Sequence, residues 1–388
     1  MMVRRRPVAL AVTVLLAVAA CQAQEAREEK PPTPGRPAPS ASAAPATGFT
    51  LVATGDVLPH TSIIERARFD AGGQGYDFRP MLDGVRTIVS RADLALCHME
   101  TVYGANGDYT GYPAFKSPPE IAEALATAGY DGCSTASNHS LDDGPAGVRR
   151  TLDALDGAGV RHAGTARTPQ EATTPTLLRA GRATVAHLAY TYGTNGYPLP
   201  PEQPWAVNVI DPAKILADAR AARQAGADVV VVSLHWGTEW QDAPDEQQLT
   251  LARTLTSSGN AGRPDIDLIL GTHAHIPQAY EKVNGTWVVY GMGDQIAGEM
   301  FNHQGQQDPR GNQSTIARFT FTPPEHPGAR WNVSKAEFVP QMFDIDAGRV
   351  LDLNQALAQG ADVRGVRDRI REVVLSRGAA KDGLVMAD

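Results

Sequence analysis

The chain has 388 residues, of which 42% are hydrophobic and 20% charged, and its formal net charge is −8. That length allows one large or two ordinary domains with an ample core, and the acidic balance excludes the basic footprint of a nucleic-acid binder. It also argues against holding an acidic polymer by bulk charge, so an anionic partner would need a local metal or arginine cluster.

At the start, Arg4-Arg5-Arg6 precedes the apolar run Val8–Ala20, which has signal-peptide length and is too short to span a membrane as a mature helix. The run ends Val18-Ala19-Ala20-Cys21, which resembles a bacterial lipobox, where the cysteine is lipidated and becomes the first mature residue. The alternative is an ordinary signal peptide with an incidental Cys21. We favour a lipoprotein signal over 1–21, with Sec or twin-arginine export left open. Residues 22–48 carry Glu25, Arg27, Glu28, Glu29 and Lys30, then repeated Pro, Ala and Ser. Such a composition cannot bury a core and reads as a disordered tether. The expected location is the outer face of the bacterial cytoplasmic membrane, with the membrane itself as a partner through the lipid.

From Phe49 onward short apolar runs alternate with helical patterns. Phe49–Ala53 is a strand that breaks at Thr54-Gly55-Asp56, and His60 lies four residues beyond Asp56. A helix is expected near Met81–Ser90, and then a strand Asp93–Cys97 that runs into His98-Met99-Glu100-Thr101. Pro118 and Pro119 open a helix over Glu120–Ala128, since Pro suits a first helical turn. Gly132–Thr135 is the next strand, followed by Ser137-Asn138-His139-Ser140-Leu141-Asp142 and a helix from Gly144 to Ala158. Cys97 and Cys133 each fall in an apparent buried strand; two buried thiols are preferred to a bridge, whose geometry is demanding.

Thr176–Leu178 and Ala183–Tyr190 flank Gly181 as a hairpin would. A helix over Pro212–Ala225 leads to Val229–Leu234, the strongest buried strand, which ends in His235-Trp236-Gly237-Thr238-Glu239. A helix over Asp245–Ser257, a strand over Asp267–Leu270 and the loop Gly271-Thr272-His273-Ala274-His275 follow. Residues at i and i+2 of an extended backbone point the same way, so His273 and His275 can aim at one place or at two adjacent metals. A second hairpin turns at Asn284-Gly285 and ends near Asp294.

Alternating strands and helices indicate an α/β chain, in which ligands gather at the carboxyl ends of strands. Those ends carry Asp56, Glu100, Asn138-His139, His235, and His273 with His275. Each has an ordinary alternative, Asp56 as a turn former or helix cap and the His-x-His pair as solvated loop residues. Their recurrence at every strand end is what argues for a site. Oxygen, amide and imidazole donors without thiolates suit Mn, Fe, Zn or Mg, and they exceed the needs of one tetrahedral ion, so two divalent metals are expected.

Gly55-Asp56-Val57, His98-Met99-Glu100-Thr101, Ser137–Asp142, His235–Glu239 and Gly271–His275 together resemble the CapA family, associated with poly-γ-glutamate capsule synthesis and anchoring, within the calcineurin-like metallophosphoesterase superfamily. The resemblance runs over about residues 49–300, within a domain taken as 49–303, and implies a β-sandwich core flanked by helices, with metal loops at the strand carboxyl ends; composition alone suggests a doubly wound sheet. It also implies that Asp56 and His275 hold one metal, that Asn138, His235 and His273 hold the other, and that Glu100 bridges them. His139 would act as general acid or as a charge partner of the substrate. The departures are the Asp56/His60 spacing, longer than the superfamily's Asp-x-His, Glu for Asp at 100, and His98 and Ser137 where Asn is commoner.

Lys116 matches a family segment that enters the site and is a candidate contact for an anionic substrate, against a solvated loop lysine. His60, Glu239 and Asp294 are candidates for further ligands or for groups that orient ligands. Asp142 is expected to cap the following helix, while His162, His187, His303 and His326 have no partner pattern. Residues 304–388 are expected to form an extension packed on the domain, with strands near Ile316–Phe321 and Phe338–Asp344 and a helix over Val363–Ser376. Two functions follow: a metal-dependent phosphoesterase acting on an envelope phosphoester or polymer, or a non-catalytic capsule component that binds, exports or anchors an anionic polyglutamate.

Overall fold

A computed structural model describes residues 48–387, apart from Ala261 and Pro327. The signal peptide expected over 1–21, with Cys21, and nearly all of the tether expected over 22–48 lie outside the described residues. Among the described residues no helix is long and apolar enough to cross a membrane.

In chain order the first half holds Phe49–Val57 (β1), Thr61–Asp70 (α1), Arg79–Ser90 (α2), Leu94–Met99 (β2), Glu120–Ala128 (α3), Gly132–Ser134 (β3), Gly144–Ala158 (α4) and Arg161–Ala163 (β4). The second half begins with the hairpin Thr176–Ala180 (β5) and Ala183–Thr191 (β6), then Pro212–Gln224 (α5), Val229–His235 (β7), Glu246–Thr256 (α6) and Leu268–Thr272 (β8). Tyr280–Val283 (β9), Thr286–Val289 (β10), Asp294–Ile296 (β11), Gln313–Thr322 (β12), Asn332–Asp344 (β13), Arg349–Asp352 (β14), Arg364–Leu375 (α7) and Leu384–Met386 (β15) follow, with shorter pieces between them.

These strands make two main sheets rather than one. The first has nine strands, in the order β14-β13-β12-β1-β2-β3-β4, with β11 also on β1 and β15 also on β13. The second has six, in the order β9-β10-β8-β7-β6-β5. Side-chain alternation along β7 explains how the sheets stack: Val229 and Val231 face a core shared with Leu51, Leu94 and Phe319 of the first sheet. Val230 and Val232 instead join Ile215 and Ala219 of α5 and Leu255 of α6. A strand covered on both faces needs apolar residues at every position, which is why Val229–Leu234 reads as an unbroken run. On the outer face of the first sheet, Val52, Ala95 and Cys97 pack with Val85 of α2 and Leu125 of α3. The architecture is therefore a β-sandwich with helices on both outsides, and the doubly wound sheet suggested by composition is not formed.

Residues 304–387 enter the first sheet instead of lying over a finished domain. β12 pairs antiparallel with β1, Leu51 opposite Phe319 and Ala53 opposite Ala317. A division at 303 thus separates neighbouring strands. The expectation of two buried thiols is also corrected. Cys97 and Cys133 are direct partners in the parallel register of β2 and β3 and form a disulfide with Cα atoms 4.4 Å apart. Sheet pairing brings the two strands together, and that proximity was hidden by their 36-residue separation.

Candidate metal centre

Parallel strands deliver their carboxyl ends to one edge of both sheets, and register decides which side chains meet there. Asp56 of β1 is the register partner of His98 on β2 and of Asp294 on β11. Thr272 of β8 and Thr191 of β6 each flank His235 of β7. The close approach of β1 to residue 293 requires glycine, because a Cβ on Gly55 would stand 1.7 Å from the Gly293 carbonyl oxygen. Gly271 is equally confined, its Cβ position lying 2.0 Å from the Tyr290 carbonyl oxygen.

The His-x-His loop does not act through strand alternation. His273 and His275 have φ of 92° and 61°, in the left-handed region that costs a non-glycine residue about 1–3 kcal/mol. That bend keeps the rings together, with centroids 6.0 Å apart. The His273 N–H donates to Asp56 Oδ2 at 3.1 Å, so a ligand carboxylate from the first sheet holds the loop of the second.

Three groups of donor atoms converge, each within 4.8 Å: Asp56 with His98 and His235; Glu100 with His235 and His273; and Asp56, Glu100, His275 and Asp294. Glu100 belongs to the last two, as a carboxylate between two adjacent cation positions would. Asn138 joins them, its Oδ1 lying 2.9 Å from His235 Nε2. The buried atoms Asp56 Oδ1, both Glu100 carboxylate oxygens, Asp294 Oδ2, His98 Nε2 and His273 Nδ1 have no hydrogen-bond partner. Buried polar atoms are ordinarily paired, and six orphans of these types around one spot fit divalent cations.

The electrostatics of the three carboxyls and of His235 and His273 agree with that fit. Burial, and then the neighbouring Asp294, push the Asp56 carboxyl well above its usual range; burial and then Asp56 do the same to Glu100. Burial also raises Asp294. Burial and the adjacent imidazoles hold His235 and His273 well below the ordinary histidine value, in the neutral form that ligates. Burial would lower His275 too, but the Asp294 carboxylate, 3.1 Å from its Nδ1, outweighs that and raises it.

His139 stands at the edge of this centre. Its Nδ1 lies 2.6 Å from Asp142 Oδ2, and the same oxygen accepts from the Phe115 N–H at 2.7 Å. Asp142 therefore orients His139 and is not the expected helix cap; α4 is preceded by Asp143, whose side chain makes no capping bond. With Nδ1–H donated to Asp142, Nε2 is the ring atom left for other chemistry.

The remaining candidates separate by position. Glu239 Oε1 lies 4.0 Å from His273 Nε2 and 3.9 Å from His275 Nε2. His60 packs edge-on against Phe115 with centroids 4.9 Å apart, and burial followed by His275 lowers it to about 3; it is in none of the donor groups. Lys116 is ion-paired with Asp108 and does not line the adjoining cavity. His303, which has no partner pattern in the sequence, does line it and lies 3.9 Å from Glu239.

Sequence reasoning missed His98 as a donor, although the i, i+2 parity applied to the His-x-His loop pairs it with Glu100. It also missed Tyr192 and Asn195, just beyond the end of β6. The Tyr192 ring lies 4.5 Å from that of His273, and burial followed by Glu239 pushes its hydroxyl up to about 12. Asn195 Oδ1 accepts from Asn138 Nδ2 at 3.2 Å. β6 is a further parallel strand arriving beside His235, and treating its end like the others would have found both.

The sequence pattern of the family described as Bacterial capsule synthesis protein PGA_cap matches residues 50–299. A probable polyglutamine synthesis accessory protein of Mycobacterium tuberculosis is 28% identical over 223 residues, covering 53% of this chain and 55% of that one. The capsule biosynthesis protein CapA of Bacillus anthracis is 26% identical over 178 residues, covering 45% and 42%. The chain thus spans about half the length of the curated relatives it matches. Among solved structures, a putative 5′-nucleotidase from Staphylococcus aureus superposes with a TM-score of 0.48 at 15% identity, over 84% of this chain and 58% of that one.

Proposed function

Since this chain belongs to the PGA_cap family of bacterial capsule synthesis proteins, we propose that it is a metal-dependent phosphoesterase-type hydrolase serving capsule or envelope polymer metabolism. The observation that carries the proposal is the set of unpartnered buried donors around Glu100. On this reading two divalent ions are held, one by Asp56, Asp294 and His275, the other by Asn138, His235 and His273, with Glu100 shared. Such ions supply Lewis-acid polarisation of a phosphoryl group.

The chain's own residues do the rest. Asp142 fixes the ring of His139 so that a proton held at Nε2 faces the substrate side, where it can pass to a leaving-group oxygen. Tyr192, against His273, shields the ligand imidazoles from water. Glu239 places a negative charge beside His273 and His275 from the open side. Export and a lipid on Cys21 form part of the proposal, supported by the Arg4–Arg6 and Val8–Cys21 pattern; the membrane is then one partner and an anionic envelope polymer or phosphoester the other.

The test is hydrolysis of phenyl phosphate and diphenyl phosphate, whose leaving oxygens need a proton, by protein loaded in turn with Mn, Fe, Zn and Mg. Turnover should disappear with a chelator and fall at least about a hundredfold in His139→Ala. Full turnover in that variant would refute the role of His139, and none with any metal would refute the phosphoesterase. A second reading rests on the name of the mycobacterial relative, a synthesis accessory protein: this chain would bind or anchor polyglutamate without catalysis. Polymer binding that survives His273→Ala favours it.

A further inference from the structure

Adjoining the metal centre is a cavity of about 620 Å³ whose wall includes His139, Glu239 and His275. Its chemistry is unlike that expected for an acidic polymer. Among the described residues lining it there is no lysine or arginine, whereas Tyr112, Phe115, Trp240 and Phe301 all contribute to it. Two of these stand out into solvent, Tyr112 at 75% and Phe301 at 55% exposure. Large exposed apolar side chains at a concave site mark a surface that a ligand covers. The rings have firm backing: Phe115 packs edge-on to His139 with centroids 4.7 Å apart and belongs to a small core with Leu58, Ala297 and Met300. Trp240 lies beside that core and 5.8 Å from the His275 ring.

We propose that this aromatic cavity holds the organic half of the substrate, and that this half carries a planar, uncharged aromatic or heteroaromatic ring, with Phe301 and Tyr112 as its specificity-determining contacts. The proposal rests on the phosphoesterase reading only for where the phosphoryl group sits. An anionic polyglutamate segment would meet Glu239 and Glu299 here with no lysine or arginine to offset them. A ring finds faces to stack on, and stacking needs no charge.

The test measures binding, not turnover, on the full chain loaded with manganese. Adenosine, ribose, choline and tetra-γ-glutamate, none carrying phosphate, are titrated by calorimetry and ligand-observed NMR. Adenosine should bind at least tenfold more tightly than the other three; Phe301→Ala should weaken it about five- to tenfold, and Phe301→Tyr should restore it. Phe301 is exposed, so neither change threatens the fold. Equal binding of adenosine and ribose, tighter binding of choline or tetraglutamate, or an unaltered Phe301→Ala would each overturn the proposal. Ring binding without phosphoester hydrolysis would uphold this inference and refute the catalytic reading; hydrolysis without ring preference would do the reverse.

Discussion

If the centre holds two divalent ions as proposed, removing Glu100 should abolish the stabilisation they confer, while removing His273 should halve it. Three buried carboxyls, Asp56, Glu100 and Asp294, share one donor group, and Glu100 also belongs to the group with His235 and His273. An ion at a hundred times its dissociation constant stabilises the folded state by about 2.7 kcal/mol, so two contribute about 5 kcal/mol. About 340 ordered residues imply an unfolding entropy of roughly 0.7 kcal/mol per kelvin, and two ions should therefore raise Tm by about 8 K. In His273→Ala one ion remains and the rise should be about 4 K; in Glu100→Ala both positions lose a donor and it should approach zero. Without metal, Glu100→Ala should stay near the parent's stability, since losing packing is offset by relief of the burial cost of the carboxyl and then of the like charge of Asp56. Scanning calorimetry with and without chelator, beside elemental analysis of each protein, reads all of this. A metal-dependent rise in Glu100→Ala equal to the parent's would refute the shared carboxylate.

Three further outcomes are expected. Asp142→Asn keeps the shape and the hydrogen-bonding reach toward His139 while removing the charge; on any phenyl ester that is turned over, kcat should fall about a hundredfold with metal content unchanged. Unaltered kcat would show that Asp142 is only structural. His187 is buried against Ser233 Oγ at 2.9 Å, and burial lowers it to about 4. Its folded pKa lies below its unfolded value, so its contribution is complete above about pH 6.5 and is lost as the unfolded chain gains the proton toward pH 4, roughly 3 kcal/mol in all. Urea unfolding of His187→Gln should lose that part of the pH dependence, and a curve parallel to the parent's would contradict the assignment. Replacing Cys97 and Cys133 by alanine should cost about 2–4 kcal/mol, given the 36-residue separation that the bridge spans. Denaturing alkylation without reductant should label neither Cys97 nor Cys133 in the parent.

Local pattern carried much of this protein. Apolar runs located β1, β2, β7 and β8, helix signals placed α3 and α4, and Asn284-Gly285, with φ of 49° and 82°, marked the β9–β10 turn. Ligand-type residues at successive strand ends pointed to a centre because side-chain chemistry and strand termination are both local properties. Sequence could not show that β1 lies between β2 and β12, or that Cys97 faces Cys133, since pairing joins segments far apart in the chain. Convergence was equally hidden. Asp294 reaches Asp56 through a parallel pairing over more than two hundred residues, and the left-handed turn at His273 is held by its N–H bond to Asp56 of the other sheet. Tertiary structure alone decided the aromatic cavity as well, because Tyr112, Trp240 and Phe301 come from three distant loops with no shared period. Chemistry at each position is written residue by residue; which positions meet depends on the register and stacking of two sheets, and those follow from the burial of the whole chain at once.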